Sequence, residues 1–233
     1  MNLKAIVTKI NQHRTLWIAL IAFLHCFTWF AHYGQTPLGE SPALDNRQTL
    51  LLAGQMANDE LPPEPFHRAP LYPYLLSLFL SFGFAPGQLV LVARLLNAIA
   101  LAIIAGSSAS IAGRIWNNQA APWIAGCLIG LNPILLFFSG DAFDILLATA
   151  AFSLALSQIV SWLPKPSMLG SLWIGITLAI SAALRSHLLP LAVLWPIAAS
   201  ILSTRQRTYH LALAALGPIL GFVILGAVNQ HVA

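Results

Sequence analysis

Charged residues are scarce in this chain of 233 residues. Lysine and arginine number 11 and aspartate and glutamate 7, so 8% of the residues are charged, whereas 58% are hydrophobic. A soluble domain carries roughly 25% charged residues. So few charges cannot cover a globule of this size with a hydrated surface. The composition therefore excludes a soluble protein and predicts that lipid surrounds most of the chain.

Segments that alternate between polar and apolar residues are also missing. Within a membrane, only helices and closed barrels satisfy every backbone hydrogen bond, and the strands of a barrel alternate over about ten residues. The apolar segments of this chain are long and continuous instead. The sequence therefore predicts a single all-α integral membrane domain over residues 1–233.

Cysteine is rare, and the basic residues form no cluster. Cys26 and Cys127 both lie inside apolar segments, where a packing role is expected and a disulfide is not. The net charge of +4 comes from basic residues scattered singly at segment ends. That pattern is typical of membrane topology rather than of nucleic-acid binding.

Seven apolar segments approach the length of a membrane span, about 20 residues. They are roughly 15–33, 89–113, 119–139, 142–163, 168–184, 187–203 and 209–228. The first is expected to be a retained span rather than a cleaved signal peptide, because it contains Trp17 and Trp29 and no small-residue cleavage site. A polar loop, residues 34–88, separates the first two spans.

The short apolar piece Leu71–Phe82 decides the topology, because Gly83 and Pro86 end it before it can cross. If it does not cross, seven basic residues fall on the N-terminal side and all seven acidic residues fall on the other. The positive-inside rule favours that arrangement. The piece is thus predicted to be an interfacial or re-entrant helix. The N-terminus is expected in the cytoplasm, and the loop and C-terminus outside the inner membrane.

The polar loop contains a second predicted helix, Leu44–Asn58, with an apolar stripe that suits the membrane surface. Ionisable side chains close to a membrane are functional candidates, and here they gather on the outer side. The candidates are Asp45, His67, Arg68, Tyr72, Arg94, Asp141, Asp144 and Arg185.

Each candidate also has a structural interpretation. Asp45, Asp141 and Asp144 suit helix N-termini, Arg185 suits a cation that reaches the interface, and Arg94 is expected to be an anchor rather than a ligand. As a set they indicate more. Cations fixed near the outer interface suit a lipid phosphate, and a carboxylate beside them could accept a proton from an attacking hydroxyl. The histidines show no metal-binding spacing, so no metal or other cofactor is indicated.

Three stretches carry a resemblance to a known family: Asp45–Thr49 followed by Ala53, Phe66–Leu75, and Asn132–Asp144. In this order they resemble the membrane module of GT-C-type glycosyltransferases. These enzymes depend on polyprenyl-phosphate sugars and include the protein mannosyltransferases and the lipid A aminoarabinose transferase. The resemblance covers nearly the whole chain.

The resemblance implies a sugar transferase whose donor is a polyprenyl-phosphate-linked sugar and whose acceptor lies outside the membrane. It implies Asp45 as the catalytic base, Asp141 or Asp144 as a second acidic site, and Arg185 as a candidate for the donor phosphate. The chain departs from the family at two positions. Asn46 stands where many relatives have a second acid, and Thr49 stands where they have a tyrosine.

Two other functions remain open. Because relatives continue for several more spans, the chain could be a catalytically incomplete module that binds a lipid-linked substrate beside a partner subunit or a second copy of itself. A small transporter or flippase is less favoured, since such proteins need polar groups and broken helices at mid-membrane, whereas the middles of the third, fourth and sixth predicted spans are almost purely apolar.

Overall fold

A computed structural model of the chain describes residues 13–40, 45–60, 69–116, 118–202 and 207–230. All the regular structure within these residues is helical, which confirms the predicted all-α class. The helices are α1 (Arg14–Tyr33), α2 (Pro37–Glu40), α3 (Asp45–Ala57), α4 (Leu71–Ser81), α5 (Leu89–Ile115), α6 (Ala120–Gly130), α7 (Pro133–Ser139), α8 (Ile145–Trp162), α9 (Met168–Leu184), α10 (Leu189–Leu202) and α11 (Arg207–Gln230). Short 3-10 turns, Pro86–Gln88 and Ser186–Leu188, precede α5 and α10.

Three of the described helices are long and apolar enough to cross a membrane: α1, α5 with the turn before it, and α8. The pair α6 and α7 makes a fourth if it is counted as one broken span. The helices α4 and α9, residues 186–202 and residues 209–221 are apolar but shorter. The structure thus supports a membrane protein with three to four spans by helix length.

A bend of 49° divides the third predicted span into α6 and α7. At this point Asn132 caps α7, since its side-chain oxygen accepts hydrogen bonds from the backbone N–H groups of Ile134 (2.9 Å) and Leu135 (3.2 Å). Pro133 is the first residue of α7, where its missing N–H costs nothing. One cap and one proline therefore end the run that the sequence predicted as continuous.

Helices approach one another closely where both surfaces carry small residues. The strongest example is the crossing of α9 and α11, where a Cβ on Gly217 would overlap the backbone of Gly175. Pro218 has no N–H, so it cannot bond to the carbonyl of Ala214, and that carbonyl lies against Gly175. Membrane helices commonly associate through close van der Waals packing at glycine, because lipid provides no hydrophobic driving force for their association.

Helices α3 and α4 pack onto the ends of three longer helices. One buried cluster joins Ala53 of α3 and Tyr72 and Leu76 of α4 to the start of α5, the start of α8 and the end of α9. Leu184, the last residue of α9, belongs to the same cluster. The predicted loop helix and the predicted non-crossing helix thus form one cap over this end of the bundle.

The described acidic side chains gather at one end of the bundle. We call the end covered by α3 and α4 the acidic face, because it carries the described acidic side chains Asp45, Asp59, Glu60, Asp141 and Asp144. At the other end, Arg14 lies against Gly113 and Pro122 at the α5–α6 connection. The acidic face also carries Arg94 and Arg185, so the described basic side chains are divided between the two ends.

Candidate functional site

Asp141, at the turn between α7 and α8, is buried against the end of α1. Its side chain is 8% exposed, and its Oδ2 accepts a 2.7 Å hydrogen bond from the hydroxyl of Tyr33. The two residues meet closely because Gly140 has no side chain: a Cβ there would lie 2.5 Å from the Tyr33 ring. Asp141 is therefore committed to a contact within the protein.

Arg94, in the first turns of α5, ties the polar loop to the same turn. Its Nε donates to the carbonyl of Gly140 (2.8 Å) and its Nη2 donates to the carbonyl of Gly39 (2.8 Å). Its guanidinium carbon also lies 5.7 Å from the centroid of the Tyr33 ring. These contacts agree with the predicted anchoring role, and they fix where the polar loop leaves α1.

Asn97 lies one turn further along α5 and is fully buried. Its Nδ2 donates to the carbonyl of Asp141 at 2.6 Å and lies 3.4 Å from the carbonyls of Phe138 and Ser139. The amide thus satisfies backbone groups left open at the end of α7. Its Oδ1 has no hydrogen-bond partner among the described residues.

Asp144 points toward the other half of the bundle and pairs with Arg185. The Nη2 of Arg185 lies 3.0 Å from Oδ1 of Asp144, and the two side chains are 32% and 26% exposed. Arg185 is held between two helices: it follows the last residue of α9 with an extended backbone and precedes the turn Ser186–Leu188. This ion pair lies at the acidic face and is open to the surroundings.

Two buried polar atoms beside this pair have no described hydrogen-bond partner: Nε of Arg185 and the hydroxyl of Tyr72. Tyr72 is 1% exposed and packs in the same cluster as Leu184. Burial raises the pKa of the Tyr72 hydroxyl, and the charge of Asp144 raises it further, so the group is a neutral hydrogen-bond donor at physiological pH. Buried donors without partners in a native protein call for an explanation.

Asp45 is the first residue of α3, half-buried, as the sequence predicted for the start of a loop helix. The next residue, Asn46, is 4% exposed, and its Oδ1 is a further buried acceptor without a described partner. The predicted ligands His67 and Arg68 lie outside the described residues. Among those residues, no three His, Cys, Asp or Glu side chains come together in a group that would suit a metal ion.

Sequence reasoning missed two members of the acidic face, Tyr33 and Asn97. Asn97 carried a usable signal, because a lone amide within the apolar run 89–113 is expensive in lipid unless it is bonded. Tyr33 carried none, since tyrosine is common where a span meets the membrane surface.

Comparison of the chain with protein-family models, with curated proteins and with solved structures gives no match.

Proposed function

We propose that the chain is a GT-C-like glycosyltransferase that moves a sugar from a polyprenyl-phosphate carrier to an acceptor outside the membrane. The observation that carries the proposal is the pair Asp144–Arg185 at the acidic face. Beside it lie Nε of Arg185 and the hydroxyl of Tyr72, which have no hydrogen-bond partner among the described residues. An arginine and a neutral hydroxyl are well suited to the oxygens of a phosphate. The site borders the apolar ends of long helices, where a lipid carrier has its headgroup.

In the proposed reaction, the acceptor hydroxyl oxygen attacks the anomeric carbon from the face opposite the phosphate. A new carbon–oxygen bond forms as the bond from that carbon to the phosphate oxygen breaks. Asp45 takes the hydroxyl proton as general base, and the polyprenyl phosphate leaves with the bonding electron pair. Arg185 and Tyr72 stabilise the charge that grows on the leaving phosphate, and the configuration at the sugar is inverted.

The proposal includes the orientation of the protein. We place the acidic face outside the inner membrane and the end with Arg14 in the cytoplasm, with seven crossings in all. The sequence supports this placement, because seven of the 11 lysines and arginines would then lie on the cytoplasmic side, where basic residues are retained. Helix α9, residues 186–202 and α11 would complete the seven as short or tilted spans.

The test is sugar transfer by the full-length protein in proteoliposomes, with a labelled polyprenyl-phosphate sugar as donor. We expect Asp45→Asn to lower kcat by roughly a hundredfold or more, since it removes the general base. Asp59→Asn is the matched control: it makes the same change of charge at an exposed position of the same polar loop. Equal transfer by Asp45→Asn and the wild type would refute the assignment of the base.

The second candidate is a catalytically incomplete module that binds the lipid-linked sugar for a partner. The buried Asn46 favours it, because an amide stands where relatives place a second acid. Under this alternative, the purified chain binds the donor and Arg185→Gln weakens binding, but no transfer occurs until the partner is added. Transfer by the purified chain alone would eliminate it.

A further inference from the structure

The ion pair between Asp144 and Arg185 is loosely made. One nitrogen contacts one oxygen at 3.0 Å, although a guanidinium and a carboxylate can form two parallel bonds, and both side chains are partly exposed. Pairs of this kind are weak, because solvent screens the charges and two flexible side chains must be held in place. An anion that reaches Arg185 can therefore compete with Asp144 for it.

Asp144 would remain stabilised if it lost Arg185. It immediately precedes α8, but its side chain makes no capping hydrogen bond there. Its carboxylate lies beside a helix N-terminus, whose partial positive charge favours an anion. Asp141, by contrast, is buried and accepts a hydrogen bond from Tyr33. Of these two acids, only Asp144 is in a position to give up its partner at little cost.

Asp144 also weakens the binding of highly charged anions to Arg185. A sugar linked to a polyprenyl phosphate is a phosphodiester with one negative charge. After transfer, the carrier is a phosphomonoester, which carries close to two negative charges above its second pKa of about 6. Because Coulomb repulsion scales with charge, the carboxylate opposes the monoester about twice as strongly as the diester.

We propose that Asp144 is a displaceable counter-ion that makes the Arg185 site prefer a lipid phosphodiester over a lipid phosphomonoester. This inference rests on the proposed function, in which the diester is the donor and the monoester is the product. Asp144 is thus a specificity-determining residue rather than a ligand. Before the donor binds, Asp144 holds Arg185 in position, and the donor phosphate then displaces it. After transfer, Asp144 repels the phosphomonoester product once its second negative charge has formed.

The test measures binding of two matched probes to the full-length protein in detergent at pH 8: a polyprenyl monophosphate and its methyl phosphodiester. We expect Asp144→Asn to tighten binding of the monophosphate about tenfold and of the diester about threefold or less. Asp59→Asn, with the same charge change, should alter neither affinity. Asp144→Ser serves as a second variant, because serine is a good N-cap that preserves the start of α8, and it should behave in the same way.

Two results would overturn the inference. If the Asp144 variants bind the monophosphate no more tightly than the wild type, or tighten both probes equally, then Asp144 does not discriminate by charge. Arg185→Gln reports separately on the proposed function: loss of both probes supports the phosphate site, whereas unchanged binding of both removes it. The Asp144 inference can therefore fail while the phosphate site stands.

Discussion

Tyr33 and Asp141 are separated by 108 positions in the sequence and meet in a 2.7 Å hydrogen bond that closes α1 onto the turn between α7 and α8. The phenol donates and the carboxylate accepts, and both side chains are buried. The sequence marked Asp141 as a candidate ligand. The hydrogen bond from Tyr33 gives Asp141 a second, structural role: it holds the end of α1 against the turn between α7 and α8.

Removing this donor should destabilise the protein. We expect Tyr33→Phe to lower the free energy of unfolding by about 1.5–3 kcal/mol, the range for a hydrogen bond to a charged group. Thermal unfolding in detergent measures the loss. Tyr74→Phe is the control, because Tyr74 is 45% exposed on α4 and its substitution should change stability little. Equal losses in the two variants would show that the Tyr33–Asp141 bond contributes nothing specific.

A side chain at Gly140 should separate the same pair by steric clash. Gly140→Ala would bring a methyl group to 2.5 Å from the Tyr33 ring, so we expect a loss of about 1–3 kcal/mol in unfolding free energy. Gly87→Ala is the matched control, since Gly87 is also outside the α-helices and a Cβ there meets nothing within 4 Å. Full stability of Gly140→Ala would contradict the close approach of ring and turn.

Loss of Arg94 should loosen the start of the polar loop without unfolding the bundle. Arg94→Gln cannot bridge the carbonyls of Gly39 and Gly140 as the longer, forked guanidinium does. We expect faster amide hydrogen exchange in residues 34–40 and unchanged exchange in the middle of α5. Arg114→Gln controls for the lost charge, because Arg114 is exposed near the far end of α5. Unaltered exchange at 34–40 would show that Arg94 does not hold the loop.

The crossing of α9 and α11 should tolerate no added side chain at its centre. Gly217→Ala would force its Cβ into the backbone of Gly175, so we expect the two helices to separate locally, at a cost of about 3 kcal/mol or more. Gly54→Ala is the matched helical control: its Cβ meets no atom of the described residues within 4 Å, and alanine should stabilise α3 by about 0.5–1 kcal/mol. A stable Gly217→Ala protein would contradict the observed helix contact.

The sequence predicted most helix bounds well, because apolar runs in this chain end at strong local signals. The predicted segment 168–184 coincides with α9, and 71–82 matches Leu71–Ser81 with Phe82 as its C-cap. The break at Asn132–Pro133 was not predicted. The apolar residues on the two sides of this break together have the length of one span. A search for apolar runs of that length therefore does not detect the Asn132 cap that divides them.

The candidate site could be predicted only as a set of residues on one face. The predicted topology placed Asp141, Asp144 and Arg185 at the same end of the bundle, but it did not show which acid would pair with Arg185. The two acids are three positions apart in a turn, and which one meets Arg185 depends on the path of the backbone there. The buried partner Asn97 depends likewise on the rotation of α5, which its weak amphipathic pattern does not reveal.

The carbonyl of Ala214, left without its helical donor by Pro218 and resting on Gly175, bears on the order in which the protein is assembled. α10 lies between α9 and α11 in sequence and packs against both, so the contact of α9 with α11 joins two helices that are not consecutive and forms only after α11 has been synthesised. Until then, the surface of α9 around Gly175 lacks the backbone of α11 that lies against it. A chain that stopped before α11 would therefore leave the Gly175 surface of α9 without the helix that covers it.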